Sequence, residues 1–279
     1  IQQTDDNGYI IAGTTISNNG NVTGNHGDYD AWVMKLASNG RLLWEKCLGG
    51  SANDGAYSIQ QTAEGGYILS GLSRSSDGNV TGNHGGADFW VVKLTGNGAI
   101  SWNYPFGGSG NEEAFSVNQT RDGGYIVAGY TESSDGDVSG KHPMADAWVI
   151  KLTGSGTSEW KYCYGGSGVD KAYSVRQTDD GGYVVAGQAG SLNGDLTDAG
   201  KHGGFDYWVL KLSSAGVIEW QKCLGGSGND IAHSIHQTSD GGYVLAGDSS
   251  SAGPELLSYR SSQEASCDLY PQTWCSALA

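Results

Sequence analysis

The feature that most constrains this chain is an internal repeat. The tripeptide Gly-Tyr-(Ile/Val) places Tyr at positions 9, 67, 125, 183 and 243, at steps of 58, 58, 58 and 60 residues. A second marker, Trp-Val-x-Lys-Leu, begins at Trp32, Trp90, Trp148 and Trp208. A third, Gly-x-x-x-Trp, runs from Gly40 to Trp44, Gly98 to Trp102, Gly156 to Trp160 and Gly216 to Trp220. Eight of the nine Trp therefore hold repeat positions, two per repeat. A chain with this period folds as a run of like units that bury their apolar surface against one another.

Each unit reads as four short strands. In the second repeat these are 56–62, 66–72, 88–94 and 99–106, rich in Tyr, Ile, Val, Trp and Thr, which suit a pleated surface. Glu64-Gly65-Gly66, like Asp122-Gly123-Gly124 one repeat later, suits a tight hairpin that needs a positive φ. Thr95-Gly96-Asn97-Gly98 is a second short turn, residues 73–87 form a longer loop, and Gly107-Gly108-Ser109-Gly110-Asn111 leads into the next unit. No helical period of useful length is present. The 47 Gly in 279 residues fall largely at these turns. With only 4 Pro the chain is not collagen, and with 9 Trp and 15 Tyr it is not a disordered linker.

Four antiparallel strands per unit predict an all-β protein, a β-propeller of four-stranded blades. The blades span about 1–50, 51–108, 109–166, 167–226 and 227–248, four clear and a fifth partial. Residues 249–279 are the degenerate end of the fifth blade or a non-repeat tail; they hold Leu256-Leu257-Ser258-Tyr259 and Gln272-Thr273-Trp274 but only one Gly. The amino end starts within a first strand, as a fragment of a longer array would.

The stretch from Lys93 to Trp102, closing on Gly98-x-x-x-Trp102, resembles the end of a quinoprotein-type propeller repeat. The whole unit is similar to Gly-rich repeats of secreted bacterial and archaeal surface proteins. The resemblance covers about residues 1–248 and implies a propeller architecture. Lys93-Leu94 replaces the acidic residue of the quinoprotein motif, so no quinone is carried over.

A net charge of −15, from 15 Lys+Arg and 30 Asp+Glu, argues against a nucleic-acid backbone or an anionic membrane as partner. It is compatible with cation binding. No run of 18 apolar residues suggests a transmembrane segment. The chain begins at Ile1 without a signal-like stretch and reads as a mature or trimmed product; an extracellular or cell-surface location is expected from the resemblance. Cys47, Cys163 and Cys223 recur at one repeat position and read as buried thiols; Cys267 and Cys275 could pair. The absence of a CxxC argues against a zinc ribbon or a thioredoxin-type site.

The long loop has a fixed grammar. It carries His26 with Asp30, His84 with Asp88, His142 with Asp146 and His202 with Asp206, four residues apart each time. One reading is four equivalent sites for a metal or a polar ligand such as a sugar. The other is that each His hydrogen-bonds its Asp or a backbone carbonyl and pins the loop. The Asp/Asn-Gly-Asp/Asn pieces (Asp77-Gly78-Asn79, Asp135-Gly136-Asp137, Asn193-Gly194-Asp195) hint at calcium, or are turn dipeptides. Asn21-Val22-Thr23 and Asn79-Val80-Thr81 are glycosylation sequons.

The loops that open each blade carry Asp54, Glu112, Asp170 and Asp230. These acids either ring the mouth of an axial channel and recruit a divalent cation, or cap solvated turns. His233 and His236 depart from the repeat, standing where Tyr57, Phe115 and Tyr173, and Gln60, Asn118 and Arg176, stand elsewhere. On an ideal strand they point to opposite faces. Either could act with Asp230 as a unique site. Ser109 lacks the strand-to-helix setting of a nucleophile elbow, and no nucleotide-binding fingerprint stands out. Near-identity of the loops predicts an extracellular binding protein, lectin-like or an adhesion scaffold, with a carbohydrate or protein ligand on its loop face. The alternative is a metal-dependent hydrolase with calcium or another divalent ion on the axis. It would be built from the acid ring and His233 or His236.

Overall fold

The computed structural model describes residues 1–251 and the backbone of Ser276–Leu278. The expectations on Cys267, Cys275, Leu256–Tyr259 and Gln272–Trp274 lie outside the described residues. The protein is all-β. The first sheet holds β1 (Gln2–Gln3), β2 (Tyr9–Thr15), β3 (Asp30–Leu36) and β4 (Leu42–Leu48) in that order. The second holds β5 (Asp54–Gln61), β6 (Tyr67–Ser73), β7 (Asp88–Leu94) and β8 (Ile100–Phe106). The third holds β9 (Glu112–Gln119), β10 (Tyr125–Thr131), β11 (Asp146–Leu152) and β12 (Ser158–Tyr164). The fourth holds β13 (Lys171–Gln177), β14 (Tyr183–Ala189), β15 (Asp206–Leu212) and β16 (Ile218–Leu224). A partial fifth pairs β17 (Asp230–Gln237) with β18 (Tyr243–Ser249), and β18 with β19 (Ser276–Leu278). Each sheet keeps sequence order, so each is a meander of the blade type.

The chain divides into two compact units. One is Ile1–Lys141 with Trp148–Cys163; the other is His142–Ala147 with Tyr164–Ala279. In the first unit Ile10, Val33, Tyr67, Leu69 and Trp90 form one core between neighbouring sheets. Ile68, Phe89, Val127, Trp148 and Ile150 form a second. In the other unit Val184, Val209, Ile235 and Leu245 do the same. β7 and β15 are buried along their whole length. That is why these strands read as near-continuous apolar runs rather than alternating ones.

Two sequence markers meet across the blade boundary. Trp44 packs edge-on against Tyr67 of the next blade, ring centroids 5.8 Å apart, and Trp102 does the same with Tyr125 at 5.8 Å. In the second unit Trp220 meets Tyr243 at 5.6 Å. Such pairs are worth about 0.5–1.5 kcal/mol beyond their buried area. The Trp of Trp-Val-x-Lys-Leu lies deeper: Trp90, Trp148 and Trp208 are essentially unexposed. The indole N–H groups of Trp90 and Trp208 donate to Asn103 and Gln221 on the adjacent outer strands.

The Lys of the same motif is buried as well. Lys35, Lys93, Lys151 and Lys211 are 2–7% exposed, and each donates to the carbonyl of the Leu that follows it. Each ammonium also reaches an acid in the tight hairpin of its blade: Asp6, Glu64, Asp122 and Asp180, at 2.8–2.9 Å. The hairpin tip needs a left-handed residue, supplied by Gly65, Gly123, Gly181 and Gly241 at φ 80–87° and by Asn7 at 60°. The Lys211 hydrogen bond, then that of Thr178, holds the Asp180 carboxyl down at about 2.

The strand bounds match the expected ones to within two residues. The largest difference is at the first strand of a blade, which begins at Asp54 rather than Ala56. A β-bulge explains it: the register shifts between Ala56 and Ser58, and likewise between Ala172 and Ser174 and between Ala232 and Ser234. Tyr57, Tyr173 and His233 are the residues set out of register. Cys47 and Cys223 are buried free thiols, pushed up to about 11 and about 12 by burial; Cys163 is half-buried.

Candidate functional site

The acids that open each blade do not line an open mouth. Asp54, Glu112, Asp170 and Asp230 are at most 1% exposed. Asp54 accepts the Gly50 N–H at 2.7 Å, the Ser75 hydroxyl at 2.7 Å and the Ser73 hydroxyl. Asp170 accepts the N–H groups of Gly166, Gly190 and Ser191 and the Ser191 hydroxyl. Glu112 is held by Gly108, Thr131 and Ser133, and Asp230 by Gly226, Ser249 and Ser251. Each carboxylate fastens the Gly-Gly-Ser opening loop to the far end of its blade's second strand. A buried carboxylate needs such donors to offset desolvation. At Asp230 burial raises the carboxyl, but these hydrogen bonds outweigh it and leave the group below its ordinary value.

The Asx-Gly-Asx pieces are a second clamp on the same loop. Asp77, Asp135 and Asn193 each accept the N–H of a loop serine, Ser51, Ser109 and Ser167, at 2.7–2.8 Å. Asn79, Asp137 and Asp195 accept the N–H of Gly49, Gly107 and Gly165. Asn and Asp interchange freely here because both present an acceptor oxygen. Among the described residues no group of three or more His, Cys, Asp and Glu is arranged to hold a metal.

The His–Asp pairs are built alike in all four copies. The carboxylates of Asp30, Asp88, Asp146 and Asp206 are unexposed. Each accepts the backbone N–H of its His at 2.7–3.0 Å and meets the imidazole Nδ1 at 2.6–3.2 Å. An ionised carboxylate only accepts, so Nδ1 carries a proton in each copy. His84 Nε2 lies 4.0 Å from a carboxylate oxygen of Asp137. The imidazoles are 33–57% exposed.

Behind each pair, a glycine separates two buried acids. A β-carbon on Gly49 would lie 2.6 Å from an oxygen of Asp54 and 2.9 Å from one of Asp30; on Gly165 it would lie 2.6 Å from Asp146 and 2.8 Å from Asp170. Only glycine fits between the carboxylates. The inner oxygens of Asp30, Asp88 and Asp146 have no hydrogen-bond partner. Burial, and in smaller part Glu112, pushes the Asp88 carboxyl up against the pull of His84; Asp146 is raised by burial and by Asp170 against His142.

His233 and His236 do not join Asp230, whose oxygens are spent on its own loop. His233 Nε2 lies 3.0 Å from Asp248, and its ring centroid is 5.3 Å from that of Tyr173. His236 is held below its ordinary value by burial and by Arg176.

A different cluster escaped the sequence reading. Glu113 accepts the phenol O–H of Tyr130 at 3.0 Å on one oxygen and that of Tyr57 at 3.3 Å on the other. Phe115 lies between the two rings, 5.9 Å from Tyr130 and 5.5 Å from Tyr57. Burial and Glu113 push the Tyr57 phenol up to about 12. The signal was in the repeat: the Glu113 position holds Gly55, Lys171 or Ile231 in other blades, and the Tyr130 position holds Leu72, Gln188 or Asp248.

A groove of about 440 Å³ opens between the first two blades. Thr23, His26, Glu45, Lys46, Asn79 and Ile100 are among its lining residues.

No known protein family matches the chain, and no curated protein resembles it in sequence. Among solved structures it is similar to a protein of unknown function from Bacteroides caccae, at 14% identity and a TM-score of 0.47, over 84% of this chain and 65% of that one. It is also similar to the S511A mutant of puromycin hydrolase complexed with PGG, at 11% identity and a TM-score of 0.28, over 79% of this chain and 38% of that one. The chain thus spans less than two thirds of either neighbour. A blade-like repeat of four-stranded antiparallel sheets is what its own strand order establishes. No helix among the described residues is long and apolar enough to cross a membrane.

Proposed function

We propose that this chain is an extracellular, propeller-type binding protein that takes a carbohydrate or protein ligand on its repeated loop ends. The supporting observation is the fourfold recurrence of one loop end. In each copy a buried Asp fixes the imidazole through Nδ1, and the ring stays 33–57% exposed. His26, His84, His142 and His202 are the ligand-facing groups in this reading; Asp30, Asp88, Asp146 and Asp206 position them. The groove beside His26 is also lined by Lys46, a donor suited to sugar hydroxyls, and by Glu45, which already accepts from Thr23 and Trp32.

Four like sites favour weak contacts combined by avidity over a single reaction centre. Glycan-array screening followed by calorimetric titration tests the reading. It predicts a ligand bound at several equivalents per chain, weakened by His→Ala at each loop in turn. A single equivalent, indifferent to all four substitutions, contradicts it.

A further inference from the structure

We propose that Glu113, Tyr57 and Phe115 form a separate site for one organic cation, an ammonium carried on a small molecule or a side chain. Glu113 stands on a first strand, beside the bulge that sets Phe115 out of register, and bulges commonly re-aim side chains next to binding sites. Its carboxylate has aromatic neighbours on both sides. Tyr130 is buried at 6% exposure, Phe115 is half-buried, and Tyr57 is 46% exposed, which leaves a ring open to a ligand.

The chemistry of the site selects the charge of its occupant. Both phenol O–H groups are already donated to Glu113, so neither phenol has a further proton to give a ligand. Among the described residues no Lys, Arg or His is ion-paired with Glu113. The nearby Arg74 guanidinium donates to Asn111, whose amide in turn donates to Glu132. A neutral sugar could donate to Glu113 but would bring no charge to match it. An ammonium needs a carboxylate and an aromatic face, and both are here. The chain's net charge of −15 also draws cations toward it. No other blade repeats the set, because Gly55, Lys171 and Ile231 hold the Glu113 position.

Tetramethylammonium and choline, titrated into the full chain and followed by tyrosine ring NMR shifts and calorimetry, test the proposal. One equivalent should bind per chain. Glu113→Gln should weaken binding about tenfold or more, and Tyr57→Ala about fivefold to thirtyfold. Tyr57→Phe keeps the ring and should retain most of the affinity. Circular dichroism and the melting temperature of each variant establish that it is folded. The proposal is overturned if neither cation saturates in the millimolar range. It is also overturned if folded Glu113→Gln binds as well as the parent, or if methyl glucoside binds where the ammonium ions do not. Because the loop-end histidines are not involved, their His→Ala variants should bind both cations unchanged.

Discussion

The loop ends and the Glu113 cluster are built on opposite plans. Each of the four loop ends uses the same set: a His–Asp pair, the opening acid of the following blade and a glycine between carboxylates. At the cluster the scaffold is retained and the side chains change, from Gly55 to Glu113 to Lys171 to Ile231. Identical residues answer a problem that every blade shares, the satisfaction of buried polar groups where the chain turns. Differing residues on a common backbone are free to make one blade unlike its neighbours. The repeat therefore separates what holds the loops in place from what can recognise a single ligand.

The largest effect should come from the opening acids. Asp170→Ala removes the acceptor of three N–H groups and a hydroxyl, and should cost about 3–5 kcal/mol by denaturant titration. Glu113→Ala, whose partners are tyrosine hydroxyls at a partly exposed site, should cost about 1 kcal/mol. Equal losses would erase the distinction between the two regions.

Next are the paired buried acids. Asp88→Ala strands the His84 N–H and should cost about 2 kcal/mol. Asp88→Asn keeps an acceptor for that N–H and directs an amide toward Glu112. It should fall within about 1 kcal/mol of the parent, because it removes a buried charge. A loss as large as that of Asp88→Ala would show that the charge itself is required.

Acid titration sharpens the same comparison. Asp122 and Asp180 are held at about 2 in the fold, so their contribution is present above the ordinary carboxylate range and is lost as pH falls toward 2. Asp88 and Asp146 are raised, so their contribution is full below the unfolded value and is lost as pH rises through the folded one. Melting curves between pH 2 and 7 should show net destabilisation toward acid. In Asp88→Asn the fall should be steeper, because one opposing group is gone.

Much of the fold was legible in the sequence because it rests on period and turn chemistry. Tyr67, Trp90 and Trp102 announce their strands, and Glu64-Gly65-Gly66 announces its hairpin. The site was legible only in part. The spacing of His26 and Asp30 allowed either a ligand site or a loop pin, and the structure places the pair in hydrogen-bond contact. Asp54 has neighbours in sequence that suggest an exposed turn. Its burial comes from Ser73 and Ser75, about twenty residues away, and no local pattern encodes that. Glu113 and Tyr130 are 17 residues apart and meet only through strand pairing. The departure of both from the repeat was the available clue.

Buried aspartates fix the four loop-end imidazoles through Nδ1. Long-range ¹H–¹⁵N correlation of the histidine rings at neutral pH tests it without any ligand. The expected result is that His26, His84, His142 and His202 all carry a proton at Nδ1. Rapidly averaging tautomers at these four rings, or a proton on Nε2 with Nδ1 unprotonated, would contradict it.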